Sequence, residues 1–244
     1  SLLLRTKTDK IDSMMLAQYA QKCNPKPVSK LPESLKEFRA LVRYEESLVK
    51  LINQAQGQIE GCTDERVEIL IKQNIEFLKK QQKVVKQEIE RKIKKDEFLT
   101  KCIKLLKTVD GIGDKCAWVI LAELKFDSIE NLSSKAQVAN AGLSPRKHDS
   151  GDVTGGRTSI CKIGRKIVRK TLFMPALDCT HRENYFTPFY NRWRKNGKTH
   201  RQAQVAVMRK MLYVACGVLK NQAPFDKDWS KKTQEKYQEN LKVS

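Results

Sequence analysis

Apolar residues recur at helical spacing over much of the chain. Between Pro32 and Leu99 there is no further proline, and a break from Gly57 to Thr63 divides the apolar positions into two runs. The first run is Leu35, Phe38, Leu41, Val42, Leu48, Leu51 and Ile52, and the second is Ile71, Ile75, Leu78, Val85 and Ile89. This pattern predicts two long antiparallel helices that form a hairpin or coiled coil.

Shorter elements are predicted on both sides of the hairpin. A helix over Asp9 to Gln21 is followed by a linker with two prolines, and short helices separated by glycine-containing breaks run from Lys101 to a final helix over Gln202 to Leu219. The predicted fold is mainly α. We divide it into residues 1–30, a helical hairpin over 31–100, a helical domain over 101–226 and a polar tail over 227–244.

Positive charge is concentrated near the C-terminus. The formal net charge is +20, and residues 141–220 hold 17 Lys and Arg against 4 Asp and Glu. Such an excess favours a polyanionic partner, with nucleic acid ahead of an anionic membrane surface. We therefore expect DNA or another polyanion to bind the C-terminal third.

Other classes of protein fit the sequence less well. No run of eighteen apolar residues could span a bilayer, and no segment resembles a signal peptide. The seven cysteines form no CxxC pair, and the histidines lack metal-ligand spacing. We expect a cytoplasmic, nucleoid-associated protein with reduced thiols, no membrane partner and neither a zinc site nor a disulfide framework.

The segment from Val109 to Ala117 fits the helix-hairpin-helix pattern. Gly111 and Gly113 allow a sharp turn, and the next helix would point free N–H groups at a phosphate, with Lys115 adding charge. Motifs of this kind contact the DNA backbone rather than its sequence. The alternative is an ordinary tight turn between two core helices.

A polar, glycine-bearing loop lies between residues 146 and 157. Ser150 is surrounded by cations that could hold a phosphate, namely Arg146, Lys147 and Arg157. A nucleophilic serine also needs a base, for which His148 and Asp149 are candidates by adjacency. Taken alone, the segment could equally be an ordinary surface loop.

Two basic stretches follow this loop. The first contains Lys162, Arg165 and Arg169, and no acid occurs between residues 153 and 177. The second runs from Arg192 to Lys198 around Trp193 and continues to Arg201, Arg209 and Lys210. The two stretches could form one DNA-binding groove whose affinity falls steeply with salt. The alternative is a set of solvated charges.

Near the start, Asp9 and Asp12 are three residues apart. On a helix they would share a face and could reach one divalent cation. The alternative is a helix N-terminus, where Thr8 or Asp9 acts as the cap and acids are favoured by the helix dipole.

These motifs, in this order, resemble the DEDD-type insertion-sequence transposases, the Piv-invertase-like, bridge-RNA-guided serine recombinases. Lys7 to Ala20 resembles KTDxxDAxxLAxxA, Leu35 to Arg43 resembles LRxLRALVR, Val109 to Leu124 resembles VPGIGxxTAxxLLAEL, Ala141 to Gly151 resembles AGLxPRxxxSG, Val168 to Ala176 resembles LRxxLYMAA, and Ala206 to Leu212 resembles AxMRKLL. The likeness covers nearly the whole chain.

The resemblance implies a mechanism and partners. Ser150 matches the family's nucleophilic serine, which forms a transient covalent link to a DNA end. Asp9 and Asp12 match the last two acids of a four-acid Mg²⁺ site in a RuvC-like, RNase-H-like domain. In the family, the acidic site and the serine meet in a composite site within a homo-oligomer, a dimer or tetramer, and a guide (bridge) RNA specifies the DNA.

The resemblance also raises expectations about the rest of the acidic site. Its other two acids would lie upstream of Asp9, so we expect residues 1–30 to be the C-terminal remnant of the RuvC-like domain and this chain alone to be inactive. Three alternatives stay open. They are a non-catalytic helix-hairpin-helix nucleic-acid-binding module, an inactive transposase remnant, and a metal-dependent nuclease that uses water instead of serine.

Overall fold

A computed structural model of the chain describes residues 8–25, 32–124, 131–146 and 159–228. The chain divides into two compact units, residues 1–31 and residues 32–244. The described elements are nearly all helical, as predicted. Within these ranges, no helix is both long and apolar enough to cross a bilayer.

The first unit contains helix α1, Asp9–Cys23. The Thr8 side chain caps it by accepting a hydrogen bond from the Ile11 amide, 3.3 Å away. The helix ends at Asn24 in the left-handed conformation, with φ at 40°. The capping interpretation of this segment is therefore confirmed for Thr8.

The hairpin consists of α2, Glu33–Glu60, and α3, Glu65–Lys95, with Asp64 capping α3. Gln82 pairs with Glu45, and Lys92 pairs with Glu37. Because partner numbers on α3 rise as those on α2 fall, the two helices are antiparallel. An apolar cluster packs between the two helices, nearer the turn that joins them. It consists of Ile52, Ala55 and Ile75, and the partly buried Ile59, Ile71 and Leu78 pack against these residues.

The hairpin continues into a helical bundle without a linker. Asp96 terminates α3 and also caps α4, Glu97–Leu106. The bundle adds α5 (Asp114–Glu123), α6 (Ser134–Asn140), α7 (Lys166–Asp178), α8 (Thr187–Lys195) and α9 (His200–Asn221). Helix α9 packs against α4, α6, α7 and α8, and its apolar residues are largely buried. It is the central helix of the core.

Two short strands interrupt the helices. Strand β1, Pro145–Arg146, pairs antiparallel with β2, Ser159–Ile160. The pairing extends past the strands, because the Cys161 amide donates to the Ser144 carbonyl at 2.8 Å and the Lys162 amide donates to the Gly142 carbonyl at 3.0 Å. The chain on either side of segment 147–158 is therefore held together by backbone hydrogen bonds.

Candidate nucleic-acid interface

The segment that contains the predicted nucleophile joins the two paired strands. Ser150, Lys147 and Arg157 lie outside the described residues. The bases of the segment are described, with Arg146 opposite Ser159 in the strand pair. The backbone thus fixes where this segment begins and ends.

Two glycines allow the close backbone approach beside these strands. Gly142 has φ at +66° and Gly164 at +122°, and a Cβ at Gly164 would lie 2.1 Å from the Asn140 carbonyl oxygen. The Arg165 amide donates to the same carbonyl at 2.7 Å. No side chain fits at position 164, so glycine is required for the contact between α6 and the start of α7.

A groove of about 540 Å³ lies between the strand pair and the helices α8 and α9. Four cations line it, namely Lys162, Lys198, Arg201 and Arg209, and none of the described lining residues is acidic. None of these four side chains forms an ion pair with a carboxylate in the described part of the chain. Among the described residues, the groove is thus a cationic surface whose charge no carboxylate neutralises.

Two buried donors belong to residues of this groove. Trp193 Nε1 and Arg209 Nε have no hydrogen-bond partner within the described ranges. An unsatisfied buried donor costs about 1–3 kcal/mol, so native proteins seldom keep one without a reason.

The predicted helix-hairpin-helix segment forms a tight turn between α4 and α5. Gly111 has φ at +81°, and a Cβ there would approach the Met211 side chain at 3.1 Å, so this glycine faces α9. Gly113 is the N-cap of α5, has open space at its Cβ position, and provides no side-chain cap. The first-turn amides of α5 are therefore not capped by a side chain at Gly113.

Lys115, a predicted DNA contact, is paired within the chain. Its Nζ lies 2.8 Å from Glu46 Oε1 and 3.2 Å from Glu45 Oε2, both on α2, and Lys170 Nζ lies 3.2 Å from Glu46 Oε2. Burial disfavours the charged forms, but the partners' hydrogen bonds and charges outweigh it. They lower the pKa of Glu46 and raise the pKa of Lys115.

Two more predicted DNA contacts, Arg165 and Arg169, also bind acceptors within the chain. Arg165 Nε lies 3.3 Å from Glu123 Oε2, and Arg169 Nη1 donates to the Ala141 carbonyl at 2.7 Å. Arg43 holds Glu123 in a bidentate pair, with distances of 2.6 and 3.0 Å.

Sequence reasoning missed the Glu123 carboxylate as an acceptor for these arginines. An acid at the end of the apolar run Ala117–Leu124 was the available signal, because a buried carboxylate needs a partner.

The acidic pair lies in the first turn of α1. Asp9 and Asp12 are both first-turn acids, so their carboxylates share a face of the helix. Carboxylate oxygens are ligands that Mg²⁺ accepts, and one or two carboxylates with several waters are a usual set. In the described ranges, no group of three or more His, Cys, Asp or Glu could hold a metal. By ligand type, the pair is suited to supply two carboxylates to Mg²⁺.

A mainly helical body with a cationic groove whose described lining contains no acid is typical of a nucleic-acid-binding protein. Sequence profiles of known families agree with this class: residues 103–191 match "Transposase IS116/IS110/IS902 family", and residues 3–66 match "DEDD_Tnp_IS110: Transposase". The pilin gene-inverting protein of Moraxella bovis is 32% identical over 232 residues, which cover 93% of this chain and 70% of the relative. The chain belongs to the IS116/IS110/IS902 family and is a DNA transposase or recombinase.

Two further relatives agree with this assignment. The pilin gene-inverting protein of Moraxella lacunata is also 32% identical over 232 residues, which cover 93% of this chain and 70% of that protein. An uncharacterized 43.6 kDa protein of insertion element IS110 from Streptomyces coelicolor is 26% identical over 121 residues, or 48% of this chain and 28% of the relative. The family membership predicted from the motifs is confirmed.

Proposed function

We propose that this transposase cuts and exchanges DNA strands with Ser150 as the nucleophile. The observation that supports this proposal most directly is the cationic groove. Residues of the strand pair line it, and segment 147–158 joins the same two strands. Ser150 follows Arg146 by four residues, and an extended chain spans at most about 14 Å over that separation. The proposal therefore places the serine within reach of the groove.

The proposed chemistry is a transesterification. The Ser150 Oγ loses its proton and bonds to a backbone phosphorus, and the bond from that phosphorus to one deoxyribose oxygen breaks. The released oxygen takes up a proton, which leaves a free hydroxyl on one strand end and a phosphoserine link on the other. A hydroxyl of the second strand then attacks that link and releases the serine.

Several described residues support this step in the proposal. Lys162 and Arg209 line the groove and would neutralise the phosphate backbone, together with Arg146, Lys147 and Arg157 near the serine. The uncapped first turn of α5 after Gly111 and Gly113 would act as a helix-hairpin-helix contact to a second phosphate. Lys115, Arg165 and Arg169, by contrast, would support the site by holding α2, α5, α6 and α7 together.

The proposal assigns Mg²⁺ to the acidic residues of α1. Asp9 and Asp12 would hold the ion by two carboxylates, as part of a four-acid site in a RuvC-like, RNase-H-like domain. When bound, Mg²⁺ would neutralise charge on the scissile phosphate. A guide (bridge) RNA would select the DNA by base pairing.

Assembly into a homo-oligomer is part of the same proposal. The hairpin exposes large apolar side chains at seven-residue spacing, which is the repeat of a coiled-coil contact: Tyr44 and Leu51 on α2, and Leu70, Phe77 and Val84 on α3. The Tyr44 hydroxyl lies 3.3 Å from Gln81, which shares a face of α3 with Phe77, so both helices contribute to one stripe. A second hairpin could cover it.

A suicide DNA substrate tests the proposed nucleophile. The full-length protein is incubated with Mg²⁺ and a labelled duplex that carries a nick beside the expected cleavage point, so that the leaving strand diffuses away and the covalent product accumulates. We expect a labelled protein–DNA band on a denaturing gel, and we expect Ser150→Ala to abolish it.

Thr154→Ala is the matched control, because it removes the other hydroxyl between residues 148 and 157. This variant should form the adduct like the unchanged chain. Strand cleavage without an adduct would favour a water-using nuclease, and DNA binding with neither product would favour a non-catalytic module. Either result would refute the serine assignment.

A further inference from the structure

The groove between the strand pair and α8–α9 is not lined by charge alone. Leu143 is buried, and Ile160, Val205 and Ala206 are half-buried against the groove, while Lys162, Lys198 and Arg201 are exposed. Phosphate contacts use cations and backbone amides and leave such an apolar surface unused. The combination matches a ligand with an apolar part and an anionic part.

Trp193 provides a flat ring in this lining. Phe189, one helical turn earlier on α8, packs edge-on against the Trp193 ring with centroids 6.2 Å apart. This contact restricts the ring, and its Nε1 donor has no partner within the described residues. A restrained, partly exposed indole beside several cations is the arrangement with which proteins stack unpaired bases.

We propose that the groove binds one unpaired nucleotide of the DNA substrate, with its base against Trp193 and its phosphate among the four cations. The volume of about 540 Å³ lies within the range of roughly 300–1,000 Å³ that is usual for small-ligand sites. Phosphate oxygens would accept hydrogen bonds from the exposed groups of Lys162, Lys198 and Arg201. This inference rests on the proposed action on DNA.

An unpaired nucleotide fits better than intact duplex or an acidic peptide. In a duplex the faces of the bases are stacked on their neighbours, so the Trp193 ring could not contact them. An acidic peptide would neutralise the cations but would not supply a flat face together with each charge. A strand that is being cut and exchanged passes through unpaired nucleotides, which makes such a site useful to the proposed reaction.

Fluorescence anisotropy with labelled oligonucleotides tests the inference on the whole chain. The probes are a fully paired DNA duplex, the same duplex with one extrahelical thymidine, an RNA duplex with the equivalent bulge, and a labelled acidic peptide. We expect the bulged DNA to bind about tenfold tighter than the paired DNA, which is the size of one base-stacking contact.

Substitutions at the groove test whether its residues cause the preference for bulged DNA. Trp193→Ala should remove the tenfold preference and keep the affinity for paired DNA, whereas Trp193→Phe should retain most of the preference because it keeps a ring. Ala206→Leu should reduce the preference by filling the groove without changing the ring. Trp118→Phe, at a buried position on α5 outside the groove, is the matched control and should leave the preference for bulged DNA unchanged.

The outcomes separate this inference from the proposed function. Equal affinity for paired and bulged DNA, a preference confined to RNA, tighter binding of the peptide, or a bulge preference that survives Trp193→Ala in a folded protein would each overturn the nucleotide site. In all four cases covalent trapping by Ser150 could still occur. Loss of the adduct alone would refute the nucleophile and leave the nucleotide site standing.

Discussion

Glu123 shows how single charged residues are used in this protein. Its side chain is only 1% exposed, yet it accepts two hydrogen bonds from Arg43 and lies 3.3 Å from Arg165. A buried carboxylate is stable only when its partners are retained. The pair also connects α2, in the hairpin, to the end of α5, in the bundle.

Replacement of Arg43 by methionine should therefore destabilise the fold. Loss of one partner of a buried ion pair costs about 3–5 kcal/mol, and since Arg165 remains near Glu123 we expect about 2–3 kcal/mol. Urea unfolding measures the change. Lys36→Met, which breaks an exposed pair on the same helix, is the control and should cost about 0–1 kcal/mol. Equal effects of the two substitutions would show that Glu123 does not depend on Arg43.

Glu46 gives the stability of the fold a pH dependence. Its pKa is lowered in the folded chain, against the effect of burial, by Lys115 and Lys170. The stabilisation is therefore present above the unfolded-state pKa of about 4.3 and is lost as the pH falls through the lower folded-state pKa.

Glu46→Gln should thus lower the free energy of unfolding at pH 7 by about 1–2 kcal/mol, a typical contribution of hydrogen bonds to charged groups after desolvation. The difference from the unchanged chain should shrink as the pH falls below about 4. Urea unfolding over a pH series measures both quantities. Glu76→Gln, at an exposed position of α3, should have little effect at any pH. A difference independent of pH would contradict the assignment.

At the scale of elements, the hairpin was predictable and the strand pair was not. Helical periodicity is a local property, so residues such as Phe38, Val42, Ile75 and Ile89 identified α2 and α3. The two-residue strands depend on contacts between segments on either side of residues 147–158. Gly142 and Gly164 permit close contacts between backbone segments, and the sequence alone does not show which segments meet there.

The exposed stripe of the hairpin predicts self-association. Phe77→Glu with Leu70→Glu places two charges in the stripe and should weaken association of the chain by at least about tenfold, because burying unpaired charge is costly. Sedimentation equilibrium measures the association constant. Ile69→Glu, at an exposed α3 position beside the stripe, is the control and should have a smaller effect. Unchanged association in the double variant would mean that another surface joins the subunits.

At the scale of the whole molecule, net charge predicted the partner class but not the contacts. Residues 141–220 contain 17 Lys and Arg against 4 Asp and Glu, and this excess predicted a nucleic-acid partner, with which the transposase family agrees. Composition cannot show which cations are already paired. Lys115 and Arg165 meet acids on other helices, and Arg169 binds a carbonyl, whereas Lys162 and Arg209 line the groove.

The salt dependence of DNA binding should follow the groove cations. Arg201→Glu should weaken duplex binding and reduce the slope of log Kobs against log salt by about 1, because one phosphate contact is lost. Charge reversal at Arg165 or Arg169 would also break internal contacts, so the groove gives the cleaner test. Arg66→Glu, exposed near the hairpin turn, is the control and should leave the slope unchanged. The same slope in both variants would place DNA elsewhere.

The most direct test of the central claim is to identify the residue that carries DNA after cleavage. Trypsin cuts after Lys147 and Arg157, so the peptide 148–157 contains Ser150 and Thr154 as its only hydroxyl side chains. After nuclease digestion of the trapped complex, mass spectrometry should find this peptide with one added nucleotide, and fragmentation should place it on Ser150. A nucleotide on any other residue, or cleaved DNA with no modified peptide, would contradict the serine mechanism.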